Sequence, residues 1–259
     1  MTKNSTQACL VTAGAPADQA LQVLLQDQQA GRSLQEHIRP PSGSVVHGLR
    51  FEHSIVPALY LSGDALDFFS LPDGRILAYL LDVSGHGTAA ALLSMFIKST
   101  VRYSLALEPA STPASVLAAV NQALLDADMR KYGTMLCMIF SPQDNRLEWS
   151  HAGHTPRPVL WDGTGARLLT GQGQPVGLFS GASYELEQLL LPDRFSLCMF
   201  SDGVLDALQG NDLSSREEAL ATLVCQQGGG FSGLCSQLLV PGPHGDDRSV
   251  FVISRAEHE

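Results

Sequence analysis

The feature that most constrains the fold is a series of short apolar segments separated by turn signals, with two long helical segments inserted among them. Two of these turn signals are Gln143-Asp144-Asn145 and Pro192-Asp193, each lying between two strand-like segments. Such neighbours pair as antiparallel hairpins, so the pattern predicts an α+β layered fold and not a parallel βαβ sheet. The predicted strands are residues 75–83, 134–140, 146–151, 158–160, 184–191, 195–200 and 249–254.

Three segments among these strands have the features of helices. Residues 88–107 contain no helix breaker and carry apolar residues around the full circumference, which predicts a buried helix. A second helix begins at Thr112, as N-cap, with Pro113 at the first helical position, and continues to about Asp128. Residues 214–224 form a third helix, capped by Ser214 or Ser215.

The N-terminal region differs from the rest of the chain. Residues 16–38 have helical apolar spacing and are rich in glutamine, and a breaker segment follows at residues 39–44. We therefore expect an N-terminal helix and linker over residues 1–44, followed by one domain over residues 45–256. The apolar face of the helix could bind a partner, form a homodimer or pack on its own domain.

Composition excludes several classes of protein. The net charge is −10, and lysine and arginine are scattered, which argues against nucleic acid as a partner. No apolar segment reaches the roughly 18 residues of a membrane span, and no signal-peptide stretch follows Met1, so a cytoplasmic protein is expected. Five cysteines form no Cys-x-x-Cys pair, and Cys137 and Cys198 lie within apolar segments. These two are expected to be buried, unreactive thiols.

Two aspartates are predicted to face each other across a hairpin. The turn signal around Asp73 lies midway between Asp64 and Asp82, so the two carboxylates come near-opposite on neighbouring strands. Like charges at that separation destabilise a sheet, unless a divalent cation lies between them. Oxygen ligands of this kind suit Mg²⁺ or Mn²⁺.

More aspartates lie at the ends of apolar strands. Asp202 follows residues 195–200, and Asp246 and Asp247 precede the last strand. A single aspartate at a strand end is usually a turn former, but the recurrence favours a shared metal site. At the end of the second strand of the hairpin, an aspartate is followed by a glycine-rich loop and then by a helix. Backbone N–H groups at such a position can bind an anion. The aspartate and the loop are Asp82-Val83-Ser84-Gly85-His86-Gly87.

These segments, in their order, resemble the bacterial PP2C-type phosphatases of the RsbU/SpoIIE kind. The resemblance runs from about Leu49 to Arg255, and each motif alone is weak whereas the ordered set is highly specific. Two departures are Ser62 in place of a usual glycine and Ala65 in place of a common aromatic residue, and neither removes a ligand. The motifs are Ser62-Gly63-Asp64, Asp82-Val83-Ser84-Gly85-His86-Gly87, His151-Ala152-Gly153-His154-Thr155-Pro156, Gly173-Gln174-Pro175-Val176-Gly177-Leu178, Ser201-Asp202-Gly203-Val204 and Asp246-Asp247-Arg248-Ser249-Val250.

The resemblance implies a fold of two packed, mainly antiparallel sheets flanked by helices, and a centre of two divalent cations, Mn²⁺ or Mg²⁺. Asp82 would bridge both ions, with the Val83 carbonyl and Asp64 completing the shell of the second. The first ion would be held by Asp202 and by Asp246, with neighbouring Asp247 as the alternative. The implied catalytic residues are Asp64, Asp82 and Asp202, and the implied substrate-binding residues are Gly85, His86 and Gly87.

The activity implied by the resemblance is hydrolysis of phosphoserine or phosphothreonine on a bacterial regulatory protein by metal-activated water. The expected substrate is an anti-anti-sigma protein of the STAS type. A catalytically weak PP2C-like adaptor is the alternative, and a phosphodiesterase is a third class. For His86 and His154 a structural role is favoured over a role as acid or phosphate contact.

Overall fold

A computed structural model describes residues 15–240 and 245–256 in two compact units, Met1–Ile38 and Arg39–Glu259. The first unit contains helix α1 (Ala15–Ile38), which confirms the helix predicted over residues 16–38. Leu21, Val23 and Leu34 on this helix are exposed. Within the described residues, no helix has both the length and the apolar character that a membrane span requires.

Two antiparallel sheets form the second unit, and they confirm the α+β layered prediction. The first sheet has the strand order β1-β2-β11-β10-β7-β8, and the second has the order β3-β4-β5-β6-β9. Aliphatic and aromatic side chains fill the space between them, including Phe51 stacked on Phe68 with ring centroids 4.3 Å apart. The strands are β1 (Ser44–Val46), β2 (Leu49–Val56), β3 (Ala65–Ser70), β4 (Ile76–Val83), β5 (Gly133–Ser141), β6 (Arg146–Ala152), β7 (Val159–Trp161), β8 (Ala166–Leu168), β9 (Glu187–Leu190), β10 (Ser196–Phe200) and β11 (Arg248–Arg255).

Helices cover the outer face of each sheet. Helices α2 (Gly87–Leu107) and α3 (Pro113–Asp126) pack on the second sheet, and α4 (Leu213–Gln226) and α5 (Phe231–Leu238) pack on the first. The Thr112 cap of α3 is confirmed, because its side chain accepts a hydrogen bond from the Ser115 amide. The unpredicted α5 is one short helix that follows three consecutive glycines.

Two predictions about helices were wrong. The cap of α4 is Asp212, whose carboxylate accepts a 2.8 Å hydrogen bond from the Ser215 amide, and not Ser214 or Ser215. Helix α2 is not buried on all sides, since Leu92, Tyr103 and Leu107 are each more than 60% exposed. The apolar residues around the full circumference of α2 therefore do not correspond to burial on all sides. The helix packs on the second sheet, and its outer face is exposed.

The predicted pairing of residues 184–191 with residues 195–200 was also wrong. Strand β9 pairs with β6 in the second sheet, whereas β10 pairs with β11 and β7 in the first. The connection crosses between the sheets because Leu191 and Phe195, at its two ends, are both buried in the core between them. A local hairpin would have kept both residues in one sheet.

Candidate metal centre

The predicted aspartates come from one end of the two sheets. In the β3–β4 hairpin, Ala65 pairs with Leu81, and the same register carried one residue further sets Asp64 opposite Asp82. In the first sheet, β10 ends two residues before Asp202, and β11 begins directly after Asp247. The hairpin register predicted from the sequence is therefore correct.

Burial and mutual repulsion raise the pKa values of three of these carboxyl groups. The pKa of Asp82 rises to about 7, first because of burial and then because of Asp202 and Asp246. The pKa of Asp64 lies well above its ordinary value, through burial and then the charge of Asp82. Burial and Asp246 also raise the pKa of Asp202. Within the described part of the chain, the charges named as causes of these three shifts are all carboxylates, so the aspartates form a cluster of like charges.

The donor chemistry of this cluster fits hard divalent cations. Among the described residues, no group of three His, Cys, Asp or Glu side chains is arranged so that it could hold an ion as it stands. Mg²⁺ commonly binds through only one or two carboxylates and keeps several waters, so each ion needs few protein ligands. A pair of cations would also remove the repulsion that raises these pKa values.

Serine hydroxyls fix the most buried of these carboxylates. Ser249 Oγ donates a 2.6 Å hydrogen bond to Asp64 Oδ2, and Asp64 is only 2% exposed. The Asp64 amide donates to Ser62 Oγ at 3.1 Å, so the departure at position 62 adds a hydrogen bond. Ser201 Oγ accepts from the Ser249 amide at 2.8 Å. The sequence did not identify Ser201 and Ser249 as site residues, and their only signal was their position within the aspartate motifs.

Asp246 and Asp247 have different surroundings. The two carboxylate oxygens of Asp247 accept hydrogen bonds from the amides of Ala58 and Gly63, each at 2.7 Å. These two hydrogen bonds attach the loop that leads to Asp64, and Asp247 itself is only 3% exposed. The Asp246 side chain is exposed, and its Oδ1 accepts the Asp247 amide hydrogen bond at 2.8 Å. The geometry favours Asp246 as the residue available to a metal.

Gly203 lets the two aspartate loops of the first sheet approach each other. A Cβ atom at this position would lie 2.3 Å from the carbonyl oxygen of Asp247 and 3.1 Å from that of Asp246. These contacts are with backbone, which cannot rotate away. The glycine of the Ser-Asp-Gly motif is therefore required by close packing.

We expect Gly203→Ala to lower the free energy of unfolding by about 2 kcal/mol, as is usual for overpacking, and to weaken Mn²⁺ binding. Urea denaturation and calorimetric Mn²⁺ titration measure the two effects. Gly165→Ala is the matched control, because nothing lies within 4 Å of a Cβ there. Equal stability of the two variants would contradict the close-packing account.

The glycine-rich loop after β4 leads directly into α2. Gly85 has a φ of +88°, which favours glycine, and Gly87 is the first residue of the helix. His86 is exposed and takes the N-cap position without a side-chain hydrogen bond to the helix. Lys131 Nζ donates a 3.1 Å hydrogen bond to the Ser84 carbonyl. The positive end of α2 thus follows Asp82 closely in the chain, where an anion can bind.

His154 lies beneath the centre and not at its surface. Its Nε2 is 2.9 Å from the Phe200 carbonyl oxygen and its Nδ1 is 3.2 Å from Thr134 Oγ1. Burial, followed by the nearby His151, lowers its pKa to about 3, so the ring is neutral at pH 7. These contacts fit the structural role favoured for His154.

The raised pKa of Asp82 predicts how the stability of the metal-free protein depends on pH. The folded state holds the carboxyl proton of Asp82 more tightly than the unfolded chain does. The contribution of protonated Asp82 to the free energy of unfolding is therefore fully present below about pH 4 and is lost as pH rises through about 7. Asp82→Asn removes the effect, so we expect the variant's melting temperature to exceed that of the wild type increasingly from about pH 4 to pH 7. Saturating Mn²⁺ should reverse the difference, because the wild type keeps the full set of proposed ligands and is stabilised more by the ion. Thermal unfolding with EDTA and with Mn²⁺ checks this, and a difference independent of pH would contradict it.

Comparison with known proteins gives the family. Residues 72–256 match the family described as Stage II sporulation protein E (SpoIIE). The chain belongs to the SpoIIE family. It is 27% identical over 153 residues to the phosphoserine phosphatase RsbP of Bacillus subtilis, which covers 56% of this chain and 37% of RsbP. It is 22% identical over 205 residues to the protein IcfG of Synechocystis, which covers 69% of this chain and 32% of IcfG. The chain spans about a third of the length of these two relatives.

Solved structures of SpoIIE-like domains share the fold. The RsbU and RsbW domains of Rv1364c from Mycobacterium tuberculosis match with a TM-score of 0.70 and 24% identity, over 82% of this chain and 61% of that one. The SiaA-PP2C domain of Pseudomonas aeruginosa matches with a TM-score of 0.70 and 19% identity, over 92% and 99% of the two chains. These similarities show that the chain has the fold of these PP2C domains, and with the SpoIIE family match they confirm the resemblance to the RsbU/SpoIIE kind.

Proposed function

We propose that this chain is a Mg²⁺- or Mn²⁺-dependent protein phosphatase that hydrolyses phosphoserine or phosphothreonine on a bacterial regulatory protein. The observation that carries the proposal is the cluster of carboxylates at the strand ends, whose pKa values are raised by burial and by one another. The name of the relative RsbP, a phosphoserine phosphatase, supports the same chemistry.

The proposed ligands of two divalent cations are Asp82, the Val83 carbonyl, Asp64, Asp202 and Asp246. Bound cations would acidify the attacking water and neutralise charge on the phosphoryl oxygens. In this assignment Asp247 is a positioning residue, because both of its oxygens already accept backbone hydrogen bonds. We propose this positioning role in place of the alternative that Asp247 itself is a metal ligand.

Hydrogen bonds within the protein orient the carboxylates, and backbone amides are the proposed binding groups for the phosphate. Ser249 holds Asp64 through a short hydrogen bond, and Asp247 fixes the loop before it. The amides of Gly85, His86 and Gly87, at the start of α2, are the proposed contacts for the phosphate oxygens. The exposed position of His86 leaves this loop open to a protein substrate.

The proposed substrate is a phosphorylated STAS-type anti-anti-sigma protein in a partner-switching pathway. The similarity to RsbP and to the RsbU domain supports this context. The proposed organisation is an N-terminal helix and linker over residues 1–44, through which the chain forms a homodimer, and a phosphatase domain over residues 45–256. Residence in the cytoplasm is part of this proposal.

An adaptor without turnover is the second candidate. It is favoured by one observation, namely that among the described residues no three carboxylate, histidine or cysteine side chains are arranged to hold an ion as they stand. The presence of all the predicted aspartates favours an enzyme over an adaptor, because binding a partner does not require them.

Phosphate release from a serine-phosphorylated STAS protein tests the proposed function. We expect release with Mn²⁺, none with EDTA, and no hydrolysis of a phosphodiester such as bis-p-nitrophenyl phosphate. Stable binding of the phosphoprotein that is insensitive to EDTA and gives no release would favour the adaptor. Faster hydrolysis of the diester than of the phosphoprotein would favour a phosphodiesterase.

A further inference from the structure

A cleft of about 580 Å³ lies at the end of the first sheet opposite the aspartates. The aspartate loops follow the end of β10 and precede the start of β11, whereas the cleft lies at Ser196, the first residue of β10, and Ser254, near the end of β11. It therefore shares no residue with the proposed metal centre.

The cleft arises from one row of residues across four strands. The strand registers set Arg50, Ser254, Ser196 and Trp161 side by side on β2, β11, β10 and β7. All four point outward, since their chain neighbours on these strands pack between the sheets. Two small serines between a long arginine and a tryptophan leave a hollow with hydroxyl groups on its floor. Gly228, in the loop between α4 and α5, lines one side of the cleft, and the neighbouring Gly229 lies close to Ser196.

The lining of the cleft is rich in arginine although the chain is acidic overall. Arg50, Arg194 and Arg255 line it together with only two acidic residues, in a chain of net charge −10. Within the described residues, none of these three arginines forms an ion pair with a carboxylate. The Arg194 guanidinium lies over the Trp161 ring, 5.9 Å from its centroid. Arg255 donates to Asn145 Oδ1 at 2.9 Å, while its Nε is buried without a hydrogen-bond partner in the described chain.

We propose that this cleft is a binding site for a small anion that carries a phosphate or carboxylate group. The guanidinium groups of Arg50 and Arg194, which form no ion pair within the described residues, give the forked N–H donors that both groups accept, and the floor hydroxyls of Ser196 and Ser254 add further donors. The two acidic lining residues, Glu52 and Asp193, limit the positive charge of the site. The site therefore favours an anion of one or two charges over a polyanion.

Tryptophan fluorescence measures binding directly at the cleft. The chain has two tryptophans, and Trp149 is buried between the sheets, so Trp149→Phe leaves Trp161 as the only reporter. Inorganic phosphate and succinate are titrated into the whole protein with EDTA present, so that no turnover or metal binding contributes. If Trp149→Phe does not fold, the wild-type signal minus that of Trp161→Phe gives the same readout.

We expect a saturable change with phosphate, with succinate or with both, which identifies the group that the site accepts. Arg50→Gln should weaken binding at least about tenfold, because a charge-assisted hydrogen bond is lost. Arg167→Gln, at the exposed residue of β8, is the matched control and should bind as the wild type does. No saturable change with either anion, or equal affinity in the Arg50 and Arg167 variants, overturns the proposal. Neither result depends on whether the protein is a phosphatase.

Discussion

Asp82→Asn should reduce metal-dependent phosphate release at least about 10³-fold in kcat/KM, equivalent to about 4 kcal/mol of transition-state stabilisation. Asp82 lies opposite Asp64 and interacts with Asp202 and Asp246, so it is the carboxylate common to both proposed cation sites. Asparagine keeps the shape of the side chain but removes its charge, so the cations lose a shared ligand. Steady-state hydrolysis of a phosphomonoester with Mn²⁺ measures the loss.

Two controls separate this effect from damage to the fold. Asp144→Asn makes the same chemical change at a 67%-exposed side chain in the β5–β6 turn and should leave turnover unchanged. The melting temperature of metal-free Asp82→Asn should equal or exceed that of the wild type at pH 7, because the pKa of Asp82 shows that its charge is unfavourable there. A folded Asp82→Asn variant with full Mn²⁺-dependent turnover would contradict the assignment.

Asp247→Ala should cause the largest loss of stability among the aspartate variants, about 3–5 kcal/mol. It removes two hydrogen bonds to a charged acceptor, each worth about 1.5–3 kcal/mol, and leaves the buried amide of Gly63 without its carboxylate partner. The loop from Ala58 to Gly63 would lose its attachment to β11, and Asp64 would lose its position. Urea denaturation measures the free energy of unfolding.

Asp246→Ala is the matched comparison at the neighbouring residue. Because Asp246 is exposed, its variant should unfold within about 1 kcal/mol of the wild type but should bind Mn²⁺ more weakly. Asp247→Asn should be intermediate in stability, since an amide offers one oxygen where two are used. A stable Asp247→Ala variant with reduced Mn²⁺ affinity would reverse the two roles.

Local signals made part of the structure predictable. The turn signal around Asp73, midway between the two residues, predicted the register that sets Asp64 opposite Asp82. Thr112 and Pro113 predicted the start of α3 because the cap and the first turn lie within four residues. In each case the determining contacts are close in the chain.

Long-range contacts account for what the sequence did not reveal. The hydrogen bond from Ser249 to Asp64 joins residues 185 positions apart, and the one from Gly63 to Asp247 spans 184. Adjacent aspartates therefore look equivalent in the sequence, although one is buried against a distant loop and the other is exposed. The crossing between β9 and β10 has the same origin, because burial in a shared core outweighed local pairing.

Metal dependence of the proposed phosphatase is tested by hydrolysis of p-nitrophenyl phosphate by the wild-type protein as a function of Mn²⁺ concentration after treatment with EDTA. We expect no turnover without metal, saturable turnover as Mn²⁺ is added, and loss of turnover when EDTA is returned. Turnover that EDTA does not change would contradict a metal-dependent enzyme. Mn²⁺ binding seen by calorimetry without any turnover would contradict the proposed phosphatase and favour an adaptor.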